Sequence, residues 1–365
     1  MTSATARLAA SLQEALRPVV RPSVFDFWAR ELGTTASHER VMARVVAKRG
    51  ESRRAVTLEL APNRRFAGFV PGQHVNVTVD VEGRRLTRSY SLTGIPQADG
   101  RLSITVQQVE GGEVSAHLFS KLAVGDFVEL GSAFGDMTLP ATLDGSLLFL
   151  AAGSGITPLM SLTRDLAARG MPVPTTLVYW ARHRADLCFV DELKALAARE
   201  PNFTFRIALT GDAVTATDEL RGRPSKALLR DAVGDLAAHA VYACGPAGFV
   251  AEVESLCAAT ARSFQAEAFT PPTFTPSTEG AKVTVQLAKS GKTVTVASGQ
   301  PLLAALEAAG VKPASGCRMG ICNTCACRKL DGTTRDLKNG DESRGADPNL
   351  RICISSAQTD VSLDL

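Results

Sequence analysis

The chain has no long hydrophobic run, little net charge, and no internal repeat or low-complexity tract. Its longest apolar stretch, 147–153, has the length of a strand, whereas a membrane-spanning helix needs ~18 to 20 apolar residues. Arg7, Glu14 and Arg17 interrupt the N-terminal apolar residues, which excludes a signal-peptide core. A net charge of +3 gives no support for nucleic-acid binding. These absences favour a soluble globular chain whose 365 residues suffice for two or three domains.

What the chain does contain is eight cysteines, four of them in a recognisable spacing. Cys317, Cys322 and Cys325 follow C-x4-C-x2-C, and Cys353 comes after 27 further residues. Four thiolates in this spacing are typical of a plant-type [2Fe–2S] cluster. Zinc, which favours two separated pairs, and disulfides are the weaker alternatives. Metal-ligand spacing also favours a reducing cytoplasm over a secreted scaffold.

The surroundings of these cysteines fit a loop wrapped around a cluster. Gly316 and Gly320 would let the backbone pass close to the sulfides. Cys327 lies two residues past Cys325 and is expected to point away from the cluster. Arg318 and its basic neighbours Arg328 and Lys329 predict either a positive docking face for an acidic partner or ordinary solvated charges.

Residues 1–38 predict an N-terminal helical extension with one helix and an irregular connector. Apolar residues at helical spacing occupy 8–16, and Pro18 and Pro22 are expected to end that helix. The connector is rich in aromatic residues, including Trp28. It either packs back onto the protein or forms a docking surface for a membrane-bound partner.

Residues 39–142 show an alternation of period two, with Gly and Pro between the alternating segments. This pattern predicts a small antiparallel β-barrel interrupted by one helix at 114–122. The predicted strands span 41–48, 55–60, 74–81, 85–92, 102–108 and 126–130.

Residues 143–270 change to apolar strands separated by helical segments, which predicts a parallel α/β domain. The predicted strands span 146–152, 175–180, 203–210, 240–244 and 263–269. The predicted helices span 158–169, 190–199, 224–233 and 247–261.

A stretch rich in proline and threonine, 271–280, reads as a linker. The remaining residues, 281–365, predict a compact unit. It begins with strands at 281–288 and 292–297 and a helix at 302–309, and the cysteine loop follows.

The first strand of the α/β domain runs into Gly153, Ser154 and Gly155, and a helix follows. Thr157 is expected as the N-cap and Pro158 as the first helical residue. Free N–H groups at such a turn form an anion site suited to the pyrophosphate of a dinucleotide. A tight turn without a ligand is the alternative.

The next strand of this domain ends near Arg182 and Arg184, where a nicotinamide site meets the adenine ribose. Arginines here could pair with a 2′-phosphate, which favours NADPH over NADH. Solvated surface arginines are the alternative reading.

On a barrel strand, Arg88 and Tyr90 share one face, and Ser89 and Ser91 share the other. Arginine could hold a flavin phosphate while tyrosine covers the ring, although a packing tyrosine beside an edge arginine is an equal reading. A second phosphate contact is predicted where a helix opens, at Gly111, Gly112, Val114 and Ser115.

Two further motifs end strands of the α/β domain. Cys244, Gly245 and Pro246 follow its penultimate strand, where a cysteine could lie beside a nicotinamide ring or simply be buried. Glu267 and Phe269 end its last strand.

Taken together, these residues resemble the ferredoxin–NADP reductase superfamily, and more closely its oxygenase-reductase branch with a C-terminal plant-type ferredoxin domain. The resemblance implies a flavin-binding barrel, a NAD(P)H-binding α/β domain and a β-grasp ferredoxin domain. It also implies FAD, with FMN as the alternative. The motifs that carry it are R-x-Y-S at 88–91, G-x-x-S at 112–115, G-S-G-I-T-P at 153–158, C-G-P at 244–246 and E-x-F at 267–269.

The resemblance implies a catalytic set of Ser91, near the reactive flavin nitrogen, with Cys244, Glu267 and Phe269, the last stacking on the flavin. A flavin is required because nicotinamide gives up two electrons at once and an iron–sulfur cluster accepts one. The extension resembles reductases of membrane fatty-acid desaturases and alkane hydroxylases, which implies a cytoplasmic protein with peripheral membrane contact. The alternatives are a soluble Rieske-type ring-hydroxylating oxygenase as partner, or a redox sensor that does not turn over.

Overall fold

The structure, a computed structural model, describes residues 22–269 and 281–365. Its first element is helix α1 (Pro22–Glu31), so the irregular connector predicted over these residues is wrong. Pro22 begins the helix because the first helical position needs no N–H donor and proline already holds the required φ. The helix predicted at 8–16 lies outside the described residues. None of the described helices is both long and apolar enough to span a membrane.

The predicted barrel is present as a sheet of antiparallel strands with the order β4-β3-β6-β1-β2-β5. The edge strands β4 and β5 meet through an isolated bridge between Leu92 and Ile104, which closes the sheet. Helix α2 (Glu113–Ser120) buries Val114 and Leu118 in the barrel core. The strands are β1 (Val41–Ser52), β2 (Ala55–Pro62), β3 (His74–Val81), β4 (Arg84–Ser91), β5 (Leu102–Gln107) and β6 (Phe127–Phe134).

Strand β6 extends four residues beyond its predicted end, Leu130. The extension occurs because β6 pairs with β3 as well as with β1, and His74 lies opposite Phe134. This partner is distant in sequence, so local alternation could not reveal it.

The second domain contains a parallel sheet with the order β10-β9-β8-β7-β11-β12, covered by helices on both faces. Its strands are β7 (Ser146–Ala152), β8 (Thr175–Ala181), β9 (Phe203–Leu209), β10 (Glu219–Arg221), β11 (His239–Gly245) and β12 (Ser263–Ala268). Its helices are α3 (Ile156–Ala168), α4 (Val190–Arg199), α5 (Lys226–Val233) and α6 (Ala247–Cys257). The edge strand β10 was not predicted, because three residues are too few to carry a periodic pattern.

The C-terminal unit combines a mixed sheet of order β14-β13-β20-β15-β18, a small sheet of order β17-β16-β19, and helix α7 (Leu302–Ala308). The last strand pairs in parallel with the first, and α7 buries its apolar face, as expected for a β-grasp domain. The cysteine loop lies between α7 and β15. The strands are β13 (Lys282–Leu287), β14 (Lys292–Ala297), β15 (Ala326–Asp331), β16 (Thr333–Asp336), β17 (Glu342–Arg344), β18 (Asp347–Arg351), β19 (Ser355–Ala357) and β20 (Val361–Leu363).

Candidate functional site: a three-domain redox centre

The glycine turn after β7 lies directly against the end of β11. Gly153 has a left-handed φ of +54°, and a Cβ added to Gly155 would lie 2.0 Å from the carbonyl oxygen of Cys244. Only glycine permits this approach, so the two predicted motifs are parts of one surface. The buried Tyr179 hydroxyl donates to the Gly153 carbonyl at 3.0 Å and holds the turn in place.

The start of helix α3 differs from the prediction. The residues from Gly153 to Gly155 form a 3-10 turn that winds directly into α3, so the helix begins at Ile156. Thr157 is therefore not the N-cap and Pro158 is not the first helical residue. The Thr157 hydroxyl instead donates to the Ser154 carbonyl at 2.9 Å. The N–H groups of this first turn remain suited to an anion.

The two arginines near the end of β8 have different surroundings. Arg184 donates to both carboxylate oxygens of Glu219, at 2.6 and 2.7 Å, and its backbone N–H donates to Asp212. Arg182 is exposed, and its side chain has no ion pair or hydrogen bond with other described residues. Only Arg182 is thus free to meet a phosphate without breaking an existing bond.

The barrel strand β4 carries the predicted flavin residues in the expected alternation. Tyr90 lies opposite Val75 and packs on the barrel core, and burial raises its pKa above the ordinary value. The Arg88 guanidinium donates to the Thr87 carbonyl at 2.8 Å, and no carboxylate among the described residues pairs with it. An unpaired cation beside a ring of low polarity fits a flavin phosphate and its ring system.

The turn before α2 is held together by the side chain of Ser115. The Ser115 hydroxyl donates to the Gly112 carbonyl and accepts from the Val109 N–H, both at 3.1 Å. Gly111 has a φ of +70°, and Val114 is buried in the barrel. Ser115 therefore shapes the turn, and the backbone N–H groups are what this turn can offer to a phosphate.

The four residues of the predicted catalytic set come together around His74, which the sequence analysis missed. Ser91 lies opposite His74 on the β3–β4 ladder, and Cys244 lies beside Glu267 on the β11–β12 ladder. The His74 Nε2 atom is 3.1 Å from Glu267 Oε2, and the His74 ring meets Phe269 edge-on at 5.8 Å between centroids. The available signal was weak: a histidine in an alternating strand, on the same face as other polar residues.

Polar atoms at this site lack protein partners. Ser91 Oγ, both ring nitrogens of His74 and Glu267 Oε2 are buried without a hydrogen-bond partner in the described part of the chain. His74 and Glu267 approach each other without the alignment of a hydrogen bond. Because buried polar groups are normally satisfied, these atoms fit the polar edge of a bound flavin and nicotinamide. Cys244 is fully buried, and burial raises its pKa, so it remains a neutral thiol.

The four predicted ligand cysteines lie together in two pairs. Cys317 hydrogen-bonds to Cys322 and lowers its pKa, and Cys353 does the same for Cys325. Backbone N–H groups of the loop also point at sulfur: those of Met319 and Cys322 both lie 3.3 Å from the Cys317 Sγ atom. N–H donors of this kind stabilise thiolate ligands.

Two pairs of sulfurs fit a two-iron cluster better than a single ion. Within residues 22–269 and 281–365, no group of three or more His, Cys, Asp or Glu side chains surrounds one metal-ion position. The loop is tightly closed, since a Cβ on Gly320 would lie 2.4 Å from the Ile354 side chain. Cys327 lies on β15 outside the two pairs, and burial raises its pKa to about 11.

Of the three basic residues predicted beside the cysteines, Arg328 is exposed, and the other two are paired within the C-terminal unit. Lys329 is fully buried and donates to Thr334 and Ser343. Arg318 forms a two-point salt bridge with Glu307, at 2.6 and 2.8 Å. Lys329 and the paired Arg318 therefore supply no unpaired positive charge to the surface of the C-terminal unit.

A cavity of about 460 Å³ lies where the three domains meet. Met319 and Ile321 of the cysteine loop line one side, and Gln265 and Glu267 of β12 line the other. The cysteine loop thus lies beside the site that contains His74.

The fold and these sites define a class: NAD(P)H-dependent oxidoreductases that combine a flavin barrel, a nucleotide domain and a [2Fe–2S] domain. Residues 43–138 match the oxidoreductase FAD-binding domain, 149–255 the oxidoreductase NAD-binding domain, and 285–358 the 2Fe-2S iron-sulfur cluster binding domain. The chain belongs to the ferredoxin–NADP reductase-type family with a C-terminal [2Fe–2S] domain. Its cofactors are FAD, NAD(P)H and [2Fe–2S], as expected from the motifs.

Individual relatives agree with this assignment. The chain is 31% identical to the NADPH oxidoreductase of Mycobacterium tuberculosis, over 97% of this chain and 92% of the relative. It is 32% identical to phenoxybenzoate dioxygenase subunit beta of Ectopseudomonas oleovorans, over 82% and 89% of the two chains. The solved structure of phthalate dioxygenase reductase has the same fold, with a TM-score of 0.59 and 24% identity over 90% of this chain and 98% of the other.

Proposed function

We propose that this protein transfers electrons from NAD(P)H to an oxygenase. The observation that carries the proposal is the β3–β4 surface, where His74 and Asn76, two residues apart on one face, contact the β12 end and the cysteine loop respectively. When bound, FAD accepts electrons in pairs and the [2Fe–2S] cluster accepts them singly. Relatives named glycine betaine monooxygenase reductase subunit and 3-ketosteroid-9-alpha-monooxygenase ferredoxin reductase component support an oxygenase as acceptor.

The barrel residues would hold the flavin. Arg88 would pair with the flavin phosphate, and Tyr90 would cover the flavin ring. The Ser91 hydroxyl, which has no hydrogen-bond partner among the described residues, would bond to the edge of that ring. The backbone N–H groups of residues 111–114 would bind phosphate. Phe269 would cover the flavin ring from the side of the α/β domain.

The α/β domain would hold the nucleotide. The turn from Gly153 to Gly155 and the first turn of α3 bind the pyrophosphate. Arg182 meets a 2′-phosphate, which favours NADPH over NADH, while Arg184 supports the loop. Cys244, with Gly245 and Pro246, forms the wall beside the nicotinamide.

The C-terminal unit would ligate the cluster in two pairs. Cys317 and Cys322 bind one iron, and Cys325 and Cys353 bind the other, because the sulfurs already associate in these pairs.

The simplest test uses the purified, cluster-loaded protein with cytochrome c as artificial acceptor. Steady NADPH oxidation that depends on both flavin and iron is expected. A redox sensor would bind the same cofactors without turnover, and that outcome would overturn the proposal.

For the acceptor itself, helix α1 favours a membrane desaturase or alkane hydroxylase. One side of α1 packs inward: Ala29 is buried, and Phe25 meets His38 at 4.7 Å between rings. The other side exposes a stripe formed by Val24, Phe27 and Trp28, which Leu32 continues just after the helix, with Trp28 59% exposed. An exposed apolar stripe of this kind suits a membrane surface.

The double variant Phe27→Ser with Trp28→Ser tests this assignment. We expect cytochrome c reduction to remain while flotation with lipid vesicles and coupling to a membrane desaturase are lost. Vesicle binding unchanged by the substitutions, together with efficient coupling to a soluble oxygenase, would favour the soluble partner instead.

A further inference from the structure

Asn76 connects the flavin strands to the cysteine loop of another domain. The Ser89 hydroxyl donates to Asn76 Oδ1 at 2.5 Å, and Asn76 Nδ2 donates to Thr324 Oγ1 at 3.0 Å. The second bond joins residues that are 248 positions apart. Ser89 lies opposite Asn76 on the β3–β4 ladder and is the neighbour of Tyr90.

The donors and acceptors in this chain of bonds all run in one direction. The Asn76 amide accepts through its oxygen and donates through its nitrogen, so its orientation is determined by its two partners. Thr324 accepts from Asn76, which leaves its own hydroxyl proton free to point to the Cys322 sulfur; both atoms lie against Gly316, where an added Cβ would be 2.8 Å from each. The path therefore runs from Ser89 through Asn76 and Thr324 to Cys322.

The path has little room to rearrange. A Cβ on Gly131 of β6 would lie 3.2 Å from the Asn76 Cβ, so strand β6 confines Asn76 from one side. A Cβ on Gly316 would lie 2.8 Å from both Cys322 Sγ and Thr324 Oγ1. Glycines at these two positions make the close packing of the chain of bonds possible.

We propose that Asn76 is a positioning residue that holds the cysteine loop against the flavin strands and orients the Thr324 hydroxyl toward the Cys322 sulfur. Hydrogen bonds to cluster sulfurs stabilise the more negative, reduced form and so raise the reduction potential. Asn76 thereby sets both the position of the cluster and its potential. The inference rests on the proposed ligand role of Cys322.

The decisive variant is Asn76→Asp in the loaded, full-length protein under anaerobic conditions. Aspartate keeps the size and accepts from Ser89, but it cannot donate to Thr324, whose hydroxyl proton would turn to the new carboxylate. We expect a lower cluster potential by EPR-monitored titration. In single-turnover mixing with NADPH, we expect roughly tenfold slower cluster reduction, the size of one lost hydrogen bond. The rate of ferricyanide reduction should change less, because that acceptor does not require the cluster.

A matched control and a conservative pair complete the test. Asn202→Asp makes the same chemical change in the α/β domain, where the amide donates to the Met171 carbonyl at 2.9 Å, and should leave the cluster potential unchanged. Thr324→Val should lower the potential, and Thr324→Ser should restore it.

Each outcome decides one question. An Asn76→Asp protein with an unaltered potential and reduction rate overturns the inference, as does an equal shift in Asn202→Asp. If the Asn76→Asp protein does not load a cluster, the Thr324 variants decide. A reduction potential that shifts in Thr324→Val but not in Thr324→Ser supports the inference, and identical potentials in the two variants refute it. Absence of a cluster in the parent protein would instead refute the proposed function.

Discussion

Neighbouring positions on the outer face of the β3–β4 hairpin are built in opposite ways. At the His74 position, polar atoms of His74, Ser91 and Glu267 are buried without hydrogen-bond partners among the described residues. At the Asn76 position, which is about 7 Å along the strand, both polar atoms of the amide are bonded, one of them to a different domain.

The difference between the His74 and Asn76 positions corresponds to what each position does in the proposed function. On the proposed function, the nicotinamide enters and leaves at the His74 position, and the unpaired polar atoms there are available to bind it. The cluster stays bound while electrons pass, so the second position fixes a distance with permanent bonds. The residues after β8 repeat the contrast: Arg182 has no side-chain partner among the described residues, whereas Arg184 is paired with Glu219.

Removing one cluster ligand should have the largest effect. Cys322→Ser should abolish cytochrome c reduction and spare ferricyanide reduction, because only the cluster end is destroyed. Iron content and the two activities measure this directly. Cys327→Ser is the control and should retain cluster and activity, and survival of cytochrome c reduction in Cys322→Ser would show that electrons take another route.

Ser91→Ala should slow the transfer of electrons from NADPH to the flavin without affecting the cluster. Loss of a buried hydrogen bond to the ring edge should slow ferricyanide and cytochrome c reduction together, by about 10- to 100-fold. Stopped-flow reduction by NADPH gives the rate, and the cluster's EPR spectrum should not change. Ser255→Ala, on the exposed face of α6, is the matched control. A variant with normal rates would mean that the unpaired Ser91 oxygen has no role at this end.

Arg182→Gln and Arg184→Gln should separate ligand contact from loop support. Arg182→Gln should lower the preference for NADPH over NADH by about tenfold, through a raised KM for NADPH, since an exposed phosphate pair contributes ~1 kcal/mol or slightly more. Arg184→Gln should instead lower the melting temperature and affect both nucleotides equally. The reverse pattern would contradict the assignment.

The smallest effect is a pH-dependent one at Glu219. The Arg184 guanidinium lowers the pKa of Glu219 to about 2 from an ordinary 4.5. The charged carboxylate therefore stabilises the fold fully above pH 4.5, and this stabilisation declines as the pH falls toward 2. Glu219→Gln should melt a few degrees lower than the parent protein at pH 7, and the gap should narrow below pH 4.5. A gap that is constant across pH 3 to 7 would exclude this ion pair as the cause.

Much of the fold could be predicted because its signals are local. Alternation marked the six predicted barrel strands, and apolar runs marked the strands of the parallel sheet. Errors occurred where a distant partner decides the outcome. Strand β6 continues to Phe134 because β3 pairs with it. Lys329, beside the cysteines in sequence, is buried because the chain returns and places Ser343, 14 positions away, against its ammonium group.

The residues of the candidate site likewise divide into those with a local sequence signal and those that depend on distant partners. The spacing of the cysteines and the G-S-G-I-T-P and R-x-Y-S motifs each lie within a few residues, so the sequence identifies the chemistry they can support. His74 carries no local mark, and its partner Glu267 comes from another domain. Thr324 is visible in sequence only as a residue between two cysteines.

By itself, the amino-acid sequence determined which cofactors this protein can hold, because ligand spacing and glycine turns are properties of short segments. Only the tertiary structure decided how those cofactor sites are joined. Hydrogen bonds such as that between Asn76 and Thr324 depend on two domains closing against each other, and no short stretch of sequence encodes that contact.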